Sequence, residues 1–387
     1  MIRLTSRWLV APVIIKGVKK PGLLNVSSIR KNMNNITPSI EVKMNRGLYR
    51  IPEHPLCIVK EKVFQYFDDL ARIEIDNPYV PIENNFDRLR VPKDHPSRAP
   101  TDTYYKDDKT CLRTHMTSYL WPLGQSTDGM SKLRYITCGD VYRKDAIDAT
   151  HFPVFHQMDA FYIVEEGVDV KQNLRERLTG LVKHLFGSTV DYQFLEDTDY
   201  EEVYFPFTID SLEVSVSVKD KDEKIRHLEC LGAGTVHPDI MKDLGLPNKQ
   251  AWAFGLGLER LAMVMFDIPD IRLFWTTDKR FTSQFTPGQI TQFKPYSKYE
   301  VCYKDVSLFT NPKFSYNDLC CIARDVDANN WIESIDLVDE FAVKGRNSQC
   351  YRVMYRAMDT TLKNADVNRV QKAIVARLKS ELEVEIR

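Results

Sequence analysis

Two arginines, far apart in the chain, lie in segments that suit phosphate binding. Arg143 follows a run of aromatic and β-branched residues, and Arg260 follows a similar run that ends in Gly255 and Gly257. A guanidinium group can form two parallel hydrogen bonds with a carboxylate or a phosphate, which a lysine ammonium group cannot do. If the fold brings the two arginines together, they can bind one polyphosphate.

The residues around Arg143 predict two strands joined by a polar loop. The segments 135–141 and 154–164 are rich in β-branched and aromatic residues, as strands are. Arg143 lies where the first strand gives way to the loop, and Asp145 follows it within the loop. Phe155, early in the second strand, offers a flat apolar face to a base. Taken alone, the segment also fits an ordinary hairpin with a surface ion pair at Arg143.

The residues around Arg260 predict a strand that passes through glycines into a helix. Apolar residues recur at helical spacing after the glycines, namely Leu258, Leu261, Ala262 and Met265. Pro269 ends the helix because a helix interior does not accept proline. Glycines let the backbone pass close to a ligand, and Arg260 lies in the first turns of the helix, whose N-terminal end favours anions.

The two segments, in this order, resemble the second and third signature motifs of class II aminoacyl-tRNA synthetases. Within that class, four features resemble the phenylalanyl-tRNA synthetases of the single-chain mitochondrial type. They are Phe155-His156-Gln157, Tyr204-Phe205-Pro206-Phe207, Leu231-Gly232-Ala233-Gly234 and the C-terminal unit described below. The resemblance extends from residue 47 to the end of the chain.

The resemblance implies that the enzyme converts phenylalanine and ATP to phenylalanyl-adenylate and then transfers the phenylalanyl group to the 2′-hydroxyl of the terminal ribose of tRNA(Phe). Arg143 would bind the α-phosphate and the amino-acid carboxylate. Phe155 and Arg260 would sandwich the adenine, with Arg260 also near the terminal phosphate, and Asp145 and His151 would line the ATP site.

Mg²⁺ is the implied metal, and Glu213, in Leu212-Glu213-Val214, is the candidate carboxylate that faces it. The alternative for Glu213 is an exposed carboxylate on a strand. Adenylation requires placement and charge neutralisation more than a general base. No Ser-His-Asp or Cys-His arrangement is therefore expected.

The resemblance also implies a phenylalanine pocket. Its matching positions are His115, Thr117, Gln157, Asp159, Phe205, Phe207, Thr208 and Ala253. An ammonium group favours oxygen acceptors such as Gln157 and Asp159, and a phenyl ring favours the edges and faces of aromatic rings. Thr208 and Ala253 would stand at the far end of the ring. As alternate residues of one strand, Phe205 and Phe207 would share a face, which also suits ordinary core residues, and His115 alone also suits a structural histidine.

The chain departs from the family pattern at two places. The family usually reads His-Thr-Ser where this chain has His115-Met116-Thr117, and Phe-His-Gln-Leu-Glu where it has Phe-His-Gln-Met-Asp, ending in Asp159. Asp159 keeps the charge with a side chain one methylene shorter, and Thr117 keeps a hydroxyl group.

The predicted fold is α+β. A catalytic domain on an antiparallel sheet occupies residues 46–290 and includes a polar linker from Thr276, and a ferredoxin-like anticodon-binding domain occupies residues 291–387. In the first domain, a helix at 54–70 precedes a strand within 86–98. The second follows a βαββαβ order, with strands at 299–309, 331–343, 349–357 and 383–386 and helices at 316–326 and 366–382.

Arg352 and Arg356 share one face of the third C-terminal strand, and we assign that face to tRNA. The alternative is a solvated edge with scattered charge. Because every predicted adenylation residue lies upstream of residue 291, removal of residues 292–387 is expected to leave adenylation largely intact.

The first forty residues are basic and free of acids, with Arg3, Arg7, Lys16, Lys19, Lys20, Arg30 and Lys31. This composition predicts an organellar transit peptide over residues 1–45, with a basic arm that touches nucleic acid as the alternative. The mature protein would lie in the mitochondrial matrix, or in a plastid. Without these seven charges the formal net charge falls from −1 to −8, so tRNA must bind a local basic patch.

The remaining composition excludes several classes of protein. No apolar run is long enough to cross a bilayer. The eight cysteines form no CxxC pair, which indicates reduced thiols rather than a zinc ribbon or a disulfide framework. We expect a monomer that acts unaided. Two alternatives to the phenylalanine enzyme stay open: a class II synthetase for another amino acid, and a tRNA-binding paralogue that has lost catalysis.

Overall fold

The computed structural model describes residues 34–126, 133–196, 203–219, 225–295, 299, 301–343, 345–357 and 360–387. The strands are β1 Ala71–Glu74, β2 Tyr79–Pro81, β3 Thr110–Leu112, β4 Arg134–Tyr142, β5 Val154–Ile163, β6 Asp191–Glu196, β7 Thr208–Lys219, β8 Ile225–Val236, β9 Ala251–Gly257, β10 Cys302–Phe309, β11 Ile332–Val343, β12 Arg346–Tyr355 and β13 Glu385–Ile386. The α-helices are α1 Pro38–Glu41, α2 Pro55–Tyr66, α3 Leu120–Ser126, α4 Val170–Phe186, α5 Pro238–Asp243, α6 Leu258–Phe266, α7 Lys279–Thr282, α8 Tyr316–Val326 and α9 Asn364–Glu381.

A seven-stranded sheet in the order β1-β4-β5-β9-β8-β7-β6 forms the larger domain. Its strands pair antiparallel, except that β1 runs parallel to β4. Helix α2 contacts α4 and α6, and both α4 and α6 contact the sheet. Side chains of β4 and β5 are buried almost throughout, because both faces of these central strands are covered. The strand–loop–strand prediction around Arg143 is confirmed.

A four-stranded sheet in the order β11-β12-β10-β13 forms the smaller domain, and its neighbouring strands pair antiparallel. Helices α8 and α9 contact each other and contribute to a core with the sheet. The chain order is βαββαβ, as predicted, and α8 has the predicted bounds. The α+β class is confirmed.

Three local predictions were wrong. Residues 86–98 form no strand; a π-helical turn ends at Asp87, and the strand that follows α2 is β1. The stretch from Thr276 is no free linker, because Phe281, Phe285 and Phe293 are buried in the core of the larger domain. Likewise, Phe205 and Phe207 precede β7 in an irregular segment rather than sharing a strand.

The predicted leader of residues 1–45 overlaps the folded domain. Residues 1–33 lie outside the described residues, but Ile40 is 1% exposed and packs in the main core with Ile36 and Met44 beside it. The spacing of these three apolar residues, one helical turn apart, explains why α1 packs there. A cleavable segment therefore has to end before this contact begins.

No helix in the described parts of the chain has the length and apolar character needed to cross a membrane. The cysteines are free thiols, with Cys302 and Cys350 half-buried and the others buried.

Candidate active site

Two glycines form the floor of a groove across the larger sheet. Asp159 of β5 pairs with Gly255 of β9, Gly255 pairs with Gly232 of β8, and Gly232 pairs with Glu213 of β7. Directly paired residues of antiparallel strands point to the same face. Asp159 and Glu213 therefore stand on one face of the sheet, on opposite sides of a strip without side chains.

One end of this groove is a cavity lined by every residue of the predicted phenylalanine pocket. These are His115, Thr117, Gln157, Asp159, Phe205, Phe207, Thr208 and Ala253, and Gly232 and Gly255 line it as well. The residues come from β5, β7, β8 and β9 and from the segments around 115 and 205. The fold thus brings this predicted set together.

The polar part of the cavity presents unpartnered acceptors. Asp159 Oδ2 accepts a hydrogen bond from Thr117 Oγ1 at 2.5 Å. Asp159 Oδ1, Gln157 Oε1 and His115 Nδ1 are buried and have no hydrogen-bond partner in the described structure. His115 Nε2 lies 3.0 Å from Asn85 O, and a carbonyl only accepts, so Nε2 carries the proton and Nδ1 is an acceptor.

Burial sets the protonation of these groups. Burial and the charge of Arg143 lower the pKa of His115 to about 3, so the imidazole is neutral at physiological pH. Burial raises the pKa of Asp159 to about 7, although the hydrogen bond from Thr117 and the charge of Arg143 oppose that shift. An ammonium ion has three donors and carries a positive charge. It matches this set of acceptors in number and in sign.

The apolar part of the cavity is aromatic. The Phe205 and Phe207 rings stack with centroids 6.0 Å apart and planes 13° apart. Thr208 Oγ1 lies 2.9 Å from Ser211 Oγ and donates to Phe205 O at 3.3 Å. The Thr208 hydroxyl is thus already engaged within its own turn.

The two arginines lie in the same charged region. The Arg143 guanidinium lies over the Phe155 ring, 5.3 Å from its centroid, and Arg143 Nε donates to Thr114 O at 2.9 Å. Burial, together with the charge of Arg260, lowers the pKa of Arg143 to about 10, although the charges of Asp145 and Asp159 oppose that shift. Arg260 Nη1 lies 3.5 Å from Glu229 Oε2. Two partly buried guanidinium groups that raise each other's electrostatic energy favour an anion between them.

The loop after β4 adds Asp145 and His151 to this region. His151 Nδ1 lies 2.6 Å from Asp148 Oδ2. Burial lowers the pKa of His151, but the hydrogen bond to Asp148 and the charge of Asp145 outweigh it and raise the pKa above its ordinary value. The negative charge of Asp145 also opposes the lowering of the pKa of Arg143 and of Arg260 by burial. The predicted ATP-site residues therefore lie within electrostatic reach of one another.

Glu213 is buried, and its negative charge opposes the lowering of the pKa of Arg260 by burial. It is therefore not an exposed carboxylate on a strand, which was the alternative from the sequence. No group of three or more His, Cys, Asp or Glu side chains in the described ranges could hold a metal ion. Magnesium in nucleotide sites usually takes one or two carboxylates and completes its shell with phosphate oxygens and water. A single carboxylate such as Glu213 fits that mode.

Arg352 and Arg356 lie in the smaller domain, away from this region. Arg352 Nε and Nη2 donate to the two carboxylate oxygens of Asp305, both at 2.8 Å. Arg356 Nε lies 3.3 Å from Glu333 Oε2.

Two buried pairs of hydrogen-bonded ionisable side chains at the site were not predicted from the sequence. Arg113 pairs with Asp140, which also accepts from Tyr142, and His156 pairs with Glu259. Asp140 and Glu259 stand within the motifs themselves, as charged residues inside otherwise apolar runs. Their position in these runs could have indicated a buried partner for each, because a buried charge requires a partner.

Two protein families match the chain. The class II core domain of tRNA synthetases matches residues 39–285, and the ferredoxin-fold anticodon-binding domain matches residues 297–387. The chain is 41% identical to the chloroplastic/mitochondrial phenylalanine–tRNA ligase of Arabidopsis thaliana, over 92% of this chain and 83% of that protein. It is 33% identical to the mitochondrial enzyme of Mus musculus, over 91% and 85%. It is 32% identical to the mitochondrial enzyme of Saccharomyces cerevisiae, over 100% and 97%. The chain belongs to the mitochondrial-type phenylalanine–tRNA ligases of the class II aminoacyl-tRNA synthetase family.

Proposed function

We propose that this protein activates phenylalanine with ATP and transfers it to tRNA(Phe) for translation in the mitochondrial matrix. The supporting observation is the groove in which an acceptor-lined, aromatic cavity adjoins two arginines across a glycine floor. The names of the relatives support the organelle. We expect the protein to act as a monomer, which light scattering would test.

The cavity binds the amino acid by its two ends. The ammonium group donates hydrogen bonds to Asp159, Gln157 and His115, and the phenyl ring lies among Phe205, Phe207 and Ala253. This orientation directs the carboxylate along the glycine floor toward Arg143. A longer side chain at Gly255 would obstruct that path, since its Cβ atom would lie 2.9 Å from Gln157 Nε2.

Adenylation then joins two bound anions. An oxygen of the phenylalanine carboxylate forms a bond to the α-phosphorus, and the bond from that phosphorus to pyrophosphate breaks, with no proton transferred. Arg143 neutralises the carboxylate and the α-phosphate, and Arg260 stacks on the adenine opposite Phe155 and reaches the terminal phosphate. Mg²⁺, held by Glu213 and the phosphates, would neutralise the remaining charge. Such preorganised charge is the main source of rate in phosphoryl and acyl transfer.

Transfer completes the reaction. The 2′-hydroxyl oxygen of the terminal adenosine attacks the carbonyl carbon of the adenylate, the bond from that carbon to AMP breaks, and the hydroxyl proton passes to the departing phosphate of AMP. The C-terminal domain binds a part of the tRNA that is distant from this terminal adenosine.

The deciding experiment is ATP–pyrophosphate exchange with each of the twenty amino acids. We expect the fastest exchange with phenylalanine, with weaker but measurable exchange with tyrosine, and we expect Arg143→Ala and Arg260→Ala to abolish exchange while the melting temperature is retained. Loss of one such contact typically costs on the order of a hundredfold in rate. Faster exchange with another amino acid than with phenylalanine would indicate a different specificity, and exchange with none would indicate the inactive paralogue.

A further inference from the structure

The loop that carries Asp145 and follows Arg143 is held in place by the smaller domain. Arg324 of α8 donates through Nη2 to Asp145 O at 2.5 Å and to Ala146 O at 2.6 Å. The backbone N–H of Ile335 in β11 donates to Ile147 O at 3.1 Å. Three consecutive carbonyl groups of the loop are thus bonded to the smaller domain.

The side chain of Ile147 strengthens this attachment. It is 6% exposed and belongs to the core of the smaller domain, where Leu319, Ile322 and Ile335 are also found. Complete burial of one such side chain is worth about 1.5–3 kcal/mol in transfer free energy. A residue of the larger domain therefore completes the hydrophobic core of the smaller one.

Polar contacts continue the interface on both sides of Ile147. Lys144 Nζ lies 3.4 Å from Asp318 Oδ1, and Asn317 Nδ2 donates to Thr101 O at 3.1 Å. Residues 143–147 have no regular secondary structure. Their backbone conformation therefore depends on these contacts and on the hydrogen bond from Lys144 N to Asp102 O.

We propose that the smaller domain is part of the ATP site, with Arg324 as a positioning residue that fixes the loop bearing Asp145. This inference rests on the proposed function, and it assigns the domain a role in a step that does not involve tRNA. It also opposes the sequence-based expectation that adenylation survives removal of residues 292–387. Without the domain, Ile147 is exposed and three carbonyl groups lose their donors.

The test uses the full-length protein with Arg324→Ala, Arg324→Lys and Ile147→Ser. The matched control is Arg369→Ala, in the same domain, where Arg369 is exposed and pairs only with Asp366 among the contacts described. Pyrophosphate exchange gives the KM for ATP, the KM for phenylalanine and kcat, and calorimetry gives the Kd for Mg-ATP without any amino acid.

We expect Arg324→Ala and Ile147→Ser to raise the KM and the Kd for ATP about tenfold, since each removes contacts that order the loop. The KM for phenylalanine should change less than about twofold, because every residue that lines the cavity belongs to the larger domain. Arg324→Lys should give a KM and a Kd for ATP between those of the wild type and those of Arg324→Ala. Arg369→Ala should give the wild-type values.

Unchanged ATP binding in both Arg324→Ala and Ile147→Ser would overturn the inference. So would an equal rise in both Michaelis constants with a lower melting temperature, which is the result of general unfolding. If Arg324→Ala weakens ATP binding but the wild-type protein shows no exchange with phenylalanine, the proposed function is refuted and the positioning role of Arg324 is supported.

Discussion

Glu259 accepts hydrogen bonds from two donors of His156: its backbone N–H, 2.9 Å from Oε2 and 3.1 Å from Oε1, and its imidazole Nδ1, 2.7 Å from Oε1. Both side chains are 1% exposed. His156 follows Phe155 in the chain, and Glu259 precedes Arg260. This pair therefore fixes the distance between the two residues that we propose to hold the adenine.

Glu259→Ala should destabilise the protein and weaken ATP binding together. Removal of the acceptor leaves the backbone N–H and the imidazole N–H of His156 buried without a partner, which costs about 1–3 kcal/mol for each group. Glu259→Gln, which keeps one acceptor oxygen, should cost less. Urea unfolding and the KM for ATP measure the two effects, with exposed Glu176→Ala as the control. A normal KM for ATP in a folded Glu259→Ala protein would contradict the positioning role.

Gly255→Ala should impair phenylalanine binding more than ATP binding. The added Cβ atom would lie 2.9 Å from Gln157 Nε2 and 3.1 Å from Asp159 Oδ1, so both side chains must move away from the ammonium position. A displacement on this scale can cost about a hundredfold in rate. We expect the KM for phenylalanine to rise at least tenfold and the KM for ATP to stay within about twofold. Equal changes in both constants would place the ammonium elsewhere.

The affinity for phenylalanine should increase with pH near neutrality. Burial raises the pKa of Asp159 to about 7 in the unliganded protein, and only the ionised carboxylate attracts the ammonium group. Below this pKa, binding must first expel a proton, so the KM rises as the pH falls. Between pH 6 and pH 8 the KM should decrease about tenfold. Asp159→Asn should show a higher KM that does not vary with pH, and a flat profile in the wild type would exclude Asp159 as the titrating group.

The strands that carry the motifs were predictable because their signal is local. The run of β-branched and aromatic residues at 135–141 predicted β4, Arg134–Tyr142, to within one residue at each end. The helical spacing after Gly257 predicted α6, although the helix ends at Phe266, where Asp267 adopts a left-handed conformation with φ of 56°. Pro269 therefore predicts that the helix ends nearby, but not the residue at which it ends.

The glycine floor was not predictable, because strand register depends on pairing between distant segments. Nothing within the segment around Gly232 indicates that it pairs with Gly255 rather than with a neighbour. The same reason explains the error at Phe205 and Phe207. Alternating aromatic residues suggest a strand, but tertiary contacts with the cavity hold them in an irregular segment instead.

The attachment of Ile147 to the smaller domain also has no local signal. A single isoleucine in a polar loop is common on protein surfaces. Only the tertiary structure shows that its side chain is buried in the core of another domain.

The exposed face of the smaller sheet should bind tRNA through arginines that lie on aromatic rings. The Arg352 guanidinium lies 4.2 Å from the centroid of the Tyr303 ring, and the Tyr303 residue is 54% exposed. The Arg346 guanidinium lies 4.0 Å from the centroid of the Phe309 ring on the same strand, β10. Exposed aromatic rings stack on unpaired bases, and arginine contacts the phosphates between them.

Arg352→Ala should raise the KM for tRNA severalfold and leave phenylalanine-dependent pyrophosphate exchange unchanged. Because Arg352 is bonded to both oxygens of Asp305, the substitution also exposes a carboxylate that repels phosphate. The double variant Arg352→Ala/Asp305→Ala separates the two effects. If Arg352 contacts a phosphate, the double variant stays impaired, and the slope of log affinity against log salt falls by about 1. If the double variant recovers wild-type affinity, Arg352 acts only by masking Asp305, and the tRNA contact must be sought elsewhere on this face.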